Sequence, residues 1–178
     1  VETLLNHLNG FGCKKIFLSL DGPRKNNYRN DILAINKIEK LALKIFDGKI
    51  NIKKNITNLG CKLGVKSAVD WFFENVGRGI ILEDDIIPEI EFIKFSNFYL
   101  KYYENNKSIF SVCGLNGYKN WLYYSPMKSN ELSQRWFVWG WATWKDRWID
   151  NYSEKVDLGF DLIIKILNFY EWDIMISI

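Results

Sequence analysis

The sequence is short of the residues that most often announce a site, with a single histidine and three cysteines in 178 positions. Cys13, Cys61 and Cys113 are far apart, odd in number and without the paired spacing of a zinc site or a disulfide framework. A reduced, cytoplasmic setting is therefore expected. His7 stands in an Asn-rich, helix-prone stretch with no second nitrogen or sulfur ligand near it, which points to packing and not to catalysis. No apolar run approaches the roughly 20 residues that span a bilayer, and Val1-Glu2-Thr3 has no signal-peptide pattern. Association with the inner face of a membrane would have to be peripheral. The net charge is only +3, and the basic residues are scattered. Without a basic stripe interleaved with aromatics, nucleic acid is not an expected partner.

What is present suffices for one substantial core, and residues 1–178 read as a single domain. Lys15 to Leu20 (KIFLSL) is a β-prone run closed by Asp21-Gly22-Pro23, a turn sequence because Gly tolerates positive φ and Pro fixes φ. Behind it Ile32, Ile35, Ile38, Ala42 and Ile45 recur at helical spacing, with Asn30 or Asp31 as the cap. Lys49 to Ile52 predicts a second strand. After the loop Asn55 to Gly60, Val65, Ala68, Phe72 and Val76 predict another helix, and Gly79 to Leu82 a third strand. Phe92, Phe95, Tyr99 and Tyr102 stripe a helix over Glu89 to Tyr103, and Ile109 to Cys113 is strand-like again. Strands alternating with helices predict an α/β fold with a mainly parallel sheet flanked by helices. The last third differs, because Trp121, Trp136, Trp139, Trp141, Trp144 and Trp148 crowd a stretch expected to be loops and a short helix around Ala142 to Ile149.

The chemistry concentrates at Glu83-Asp84-Asp85, directly after Gly79-Ile80-Ile81-Leu82. Carboxylates then sit at the carboxyl end of a buried strand, where open α/β sheets place ligands. Acids crowded together repel one another and are costly to desolvate, a cost that a divalent cation such as Mg²⁺ or Mn²⁺ offsets. Such an ion completes its shell from water and a diphosphate and stabilises charge on a leaving nucleoside diphosphate. The triplet by itself equally allows Asp84 or Asp85 to cap a helix near Pro88. Arg24 reads in two ways as well, as a guanidinium fork for a diphosphate or as a solvent-facing turn residue. Trp139 and Trp141 could pack on a sugar face or close the edge of a core.

The acid run has company: DGPR at Asp21 to Arg24, NLGCKLGVKSAVDWFF at Asn58 to Phe73, ILEDDIIP at Ile81 to Pro88 and FVWGWATWKDRW at Phe137 to Trp148. In this order, and over most of the chain, these segments resemble the nucleotide-diphospho-sugar transferases of the GT-A fold, especially bacterial proteins related to N-acetylglucosaminyltransferase I. The resemblance implies a GT-A-like, Rossmann-like domain. It would move a sugar, N-acetylglucosamine being the first candidate, from a UDP-type donor to a glycan or glycolipid acceptor, with Mn²⁺ or Mg²⁺ and inversion. By the same resemblance Asp85 would ligate the metal, Glu83 and Asp84 would face the ribose and the donor sugar, and Asp21 would contact the base. Trp139-Gly140-Trp141 would lie against the donor sugar. Trp172 would pack on a sugar and Asp173 would be the catalytic base.

The departures are specific. The mammalian enzyme has a His before the helix near the donor, where this chain has Gly64, Val65 and Lys66, so Lys66 or Lys62 would meet the phosphate instead. The resemblance puts one strand before Val1 and more chain after Ile178. The start without Met and the apolar run from Trp172 to Ile178 also read as a fragment. Two rivals stand beside the transferase. A sugar-nucleotide nucleotidyltransferase would ordinarily carry a Gly-rich, basic N-terminal loop, not visible here. A carbohydrate-binding remnant would keep the aromatic surface without catalysis.

Overall fold

The computed structural model describes residues 1–13, 15–114, 132 and 137–152, so Trp121, Trp136, Trp172 and Asp173 lie outside the described residues. The amphipathic patterns become helices α1 (Glu2–Gly10), α2 (Tyr28–Ile45), α3 (Gly60–Asn75) and α4 (Ile90–Tyr102), followed by α5 (Lys145–Asn151). The β-prone runs become β1 (Ile16–Leu20), β2 (Ile50–Lys54), β3 (Arg78–Ile81) and β4 (Ser111–Cys113), joined by β5 (Trp141–Trp144). The expected cap at Asn30 or Asp31 is not formed. α2 starts at Tyr28, and Asp31 falls in its first turn, where it is taken up by Arg24.

β1 and β2 pair in parallel, Ile16 opposite Ile50 and Leu20 opposite Lys54. A parallel pair needs a crossover, which α2 supplies. Alternation along the strands gives each face its own partner. Ile16, Leu18, Ile50 and Ile52 pack on Leu4, Leu5, Leu8, Ala42 and Phe46 from α1, α2 and its end. On the other face Phe17 meets the edges of Trp71 and Phe72 of α3, each ring 5.3 Å away.

The second sheet has the order β3-β5-β4 with both pairings antiparallel. Its middle strand is buried on both faces. Ala142 and Trp144 pack with Leu100 and Val112, on the side of α4. Trp141 packs with Val69 and Phe73 of α3 and with Trp148 of α5. Burial of one such large side chain contributes about 1.5–3 kcal/mol. α3 serves both sheets, because Phe72 touches Phe17 of β1 and fills the space where a Cβ on Gly79 of β3 would stand.

The fold is mixed α/β, but the sheet is not mainly parallel: among the described residues β1–β2 is parallel and β3–β5 and β4–β5 are antiparallel. The difference lies in β5, a segment expected as loop and helix. Trp-Ala-Thr-Trp suits a pleated surface through its aromatics and Thr, yet burial on both faces leaves no alternation to read. The helix expected from Ala142 begins only at Lys145.

The end of α4 is held from this strand. The last carbonyls of a helix lack intrahelical partners. Here the Trp144 indole donates to the Leu100 carbonyl at 2.9 Å, and Nη2 of Arg147 donates to the carbonyls of Tyr103, Glu104 and Asn106 at 2.9, 3.0 and 3.1 Å. Arg147 is 2% exposed, and its guanidinium lies 3.6 Å from the centroid of Trp144.

Candidate functional site

β3 delivers the acid run. After Ile81 the chain turns, with the Ile86 N–H donating to the Glu83 carbonyl at 3.2 Å, and passes the buried Pro88 into α4. Glu83 is half-buried and Asp84 and Asp85 are exposed. Burial, then repulsion from Asp85 and Asp84, pushes the Glu83 carboxyl above its ordinary range. Neither Asp84 nor Asp85 caps α4, whose N-cap position is Glu89 without a side-chain hydrogen bond. Among the described residues no cation pairs with these carboxylates.

β5 begins where β3 ends, because the two run antiparallel with Ile81 opposite Trp141. That register brings the Trp139-Gly140-Trp141 segment to the acid run. Gly140 has φ +70°, and a Cβ there would stand 3.7 to 3.8 Å from Ile86, Phe92 and Leu82. Its carbonyl accepts the Gly114 N–H at 2.8 Å. The glycine of this motif is thus explained by a left-handed turn at the start of β5. The two tryptophans divide: Trp139 is 63% exposed, whereas Trp141 is 3% exposed and wedged between α3 and Trp148. The expected sugar contact of Trp141 is therefore corrected, since its ring is core.

Asp21 lies at the end of β1 in a separate cluster. Its carboxylate accepts from the N–H groups of Gly22, Leu59 and Gly60 and from the amides of Asn55 and Asn58, at 2.8 to 3.1 Å. Two of these donors, the Leu59 and Gly60 N–H groups, belong to the start of α3, where N–H groups lack helical partners. Burial alone would raise the Asp21 pKa, but the hydrogen bonds from Leu59, Asn55, Gly22 and Gly60 outweigh it and hold the carboxyl below its ordinary range. Gly22 is needed for the same closeness, because a Cβ would collide with the Thr57 backbone. Asp21 thus orders the Asn55–Gly60 loop.

Arg24 and Lys66 are also engaged. The Arg24 fork donates to both oxygens of Asp31 at 2.9 Å, which lowers the Asp31 carboxyl well below its ordinary range. Lys66 pairs with Asp70 at 2.6 Å and lies over the Tyr152 ring, while Asp70 also accepts the Trp148 indole N–H at 2.8 Å. The sequence reading missed Asp70, Trp148 and Tyr152. The Lys66–Asp70 spacing of one helical turn was the available signal.

Among the described residues no group of three or more His, Cys, Asp or Glu is arranged to hold an ion. The donor chemistry at the end of β3 nevertheless fits one that takes few protein ligands. Asp84 and Asp85 offer unpaired carboxylates to water, and Mg²⁺ in particular keeps several waters beside one or two carboxylates. Trp172 and Asp173 lie outside the described residues. Comparison with known proteins adds no relative: no family model, no curated protein and no solved structure matches the chain.

Proposed function

We propose that this chain is a metal-dependent, inverting glycosyltransferase domain of GT-A-like fold that uses a UDP-type sugar donor. One observation carries it: an unpaired acid pair at the carboxyl end of a strand, with an exposed Trp139 in the turn that leads into the neighbouring strand, brought to the same end by the Ile81–Trp141 register. Carboxylates and an aromatic face at one sheet edge are the two kinds of group that a nucleotide sugar requires.

In this proposal Asp85, assisted by Asp84, would hold Mn²⁺ or Mg²⁺, which when bound offsets charge on the leaving diphosphate. Glu83 accepts a hydroxyl of the ribose or donor sugar. Trp139 covers the apolar face of that sugar. Asp21 serves the nucleotide through the loop it orders. Asp173 takes the proton from the acceptor hydroxyl as that oxygen attacks the anomeric carbon opposite the diphosphate, which inverts the centre without a covalent intermediate. The acceptor is a glycan or glycolipid reached from the cytoplasm.

The test is a panel of nucleotide sugars titrated into the protein with Mn²⁺ and with a chelator. Binding of a UDP-sugar that disappears with the chelator supports the proposal. Binding of free sugars alone, indifferent to metal, would leave a carbohydrate-binding remnant instead.

A further inference from the structure

The outward face of α4 has no role in the site. The helix buries Ser96 and Leu100, and Phe95, Tyr99 and Tyr103 pack around Leu100 and Trp144. Phe98 follows Ser96 by two positions, about 200° around the helix, and is 59% exposed. Tyr102, one turn on, is 68% exposed. The two rings stack, with centroids 5.9 Å apart and planes at 13°, and Phe98 is propped edge-on against Tyr99 at 5.0 Å. This exposed aromatic pair is held in place by the half-buried layer beneath it.

Lysines flank it. Lys94 and Lys101 are exposed on the same face, and neither joins an ion pair among the described residues. Between Glu91 and Glu104 the chain has no acidic residue, and Glu104 is neutralised by Arg78 at 2.9 Å. The face therefore offers a Phe ring, a Tyr with a polar tip and two long cationic stems on one side of the rings, with exposed Glu91 about two turns before Phe98.

We propose that this face docks α4 in the headgroup layer of an anionic bilayer, with Phe98 and Tyr102 inserted and Lys94 and Lys101 on lipid phosphates. Charge complementarity selects the partner, because rings at headgroup depth and unpaired lysines beside them match an interfacial helix on acidic lipid. Phe98 lies about 12 Å along the axis from the start of α4, and α4 begins at Ile90, after the short turn that follows Asp85. Docking would hold the end of β3 close to the membrane surface, within reach of a lipid-linked acceptor. That last consequence rests on the transferase proposal, and the docking does not.

The test is co-sedimentation of the full chain with phosphatidylcholine vesicles, with and without phosphatidylglycerol. The expected result is binding to the anionic vesicles alone, weakened by salt. Phe98→Ser with Tyr102→Ser, and separately Lys94→Glu with Lys101→Glu, should each lower the partition about tenfold or more. Leu33→Ser, at an exposed site on α2, should leave it unchanged. Unchanged melting temperatures would show that the α4 variants fold. Equal partition of all variants, no vesicle binding, or a wild-type dimer that the Phe98/Tyr102 pair of substitutions turns into a monomer would each overturn the proposal. Asp85→Ala should bind vesicles normally, so failure of docking and failure of the sugar-transfer reading are separable.

Discussion

Ile81 and Trp141 face each other across the β3–β5 ladder, and through this pairing the acid run and the Trp139 turn share one end of a sheet. The same pairing sends Trp139 and Trp141 to opposite fates, one into water and one into the core.

Trp141→Ala should cost about 3–5 kcal/mol of stability, because it empties the space between Val69, Phe73 and Trp148. Trp139→Ala should change stability by no more than about 0.5 kcal/mol while weakening UDP-sugar binding. Urea unfolding and ligand titration on the two variants separate these effects. Equal destabilisation would contradict the division.

Gly140→Ala should cost about 1 kcal/mol or more, because alanine is strained at positive φ. Since a Cβ there stands beside Ile86 and Leu82, the turn carrying Asp84 and Asp85 should be disturbed as well. Thermal unfolding together with Mn²⁺ titration checks both parts.

Asp21→Ala should cost about 1–2 kcal/mol through loss of the cap on α3. The effect should depend on pH with a definite sign. The folded-state pKa is depressed, so the carboxylate contributes stability above its unfolded value of 3.8, and this contribution fades as pH falls through the lower folded value. The difference in urea midpoint between wild type and Asp21→Ala should be full at pH 7 and shrink below about pH 4. A difference that stayed constant into acid would show that charge plays no part.

Arg147→Met should destabilise by about 1–3 kcal/mol, since the part-buried carbonyls after α4 would lose their shared donor. Arg147→Lys should not restore stability, because an ammonium lacks the planar fork that stacks on Trp144. Denaturant midpoints of the two variants measure this directly.

The sequence carried the helices and most strands because α2, α3 and α4 announce themselves by apolar spacing and β1 and β3 by short β-prone runs before turns. β5 escaped because a four-residue strand buried on both faces has no period. Missing it cost the antiparallel half of the topology and misplaced Trp141. The role of Asp21 was hidden for a different reason. Its partners Asn55, Asn58, Leu59 and Gly60 lie a helix and a strand away along the chain, and only the β1–β2 pairing brings them together. The acid run was legible as chemistry, and the structure added its exposure and its neighbour Trp139.

The most direct measurement is calorimetric titration of UDP-sugars into wild type and Asp85→Ala, with Mn²⁺ present throughout. Asp85 is exposed, so the variant should unfold at the wild-type temperature. The account predicts Mn²⁺-dependent binding by the wild type and its loss, by about tenfold or more, in Asp85→Ala. Undiminished Mn²⁺-dependent binding by Asp85→Ala, or no such binding by the wild type, would contradict it.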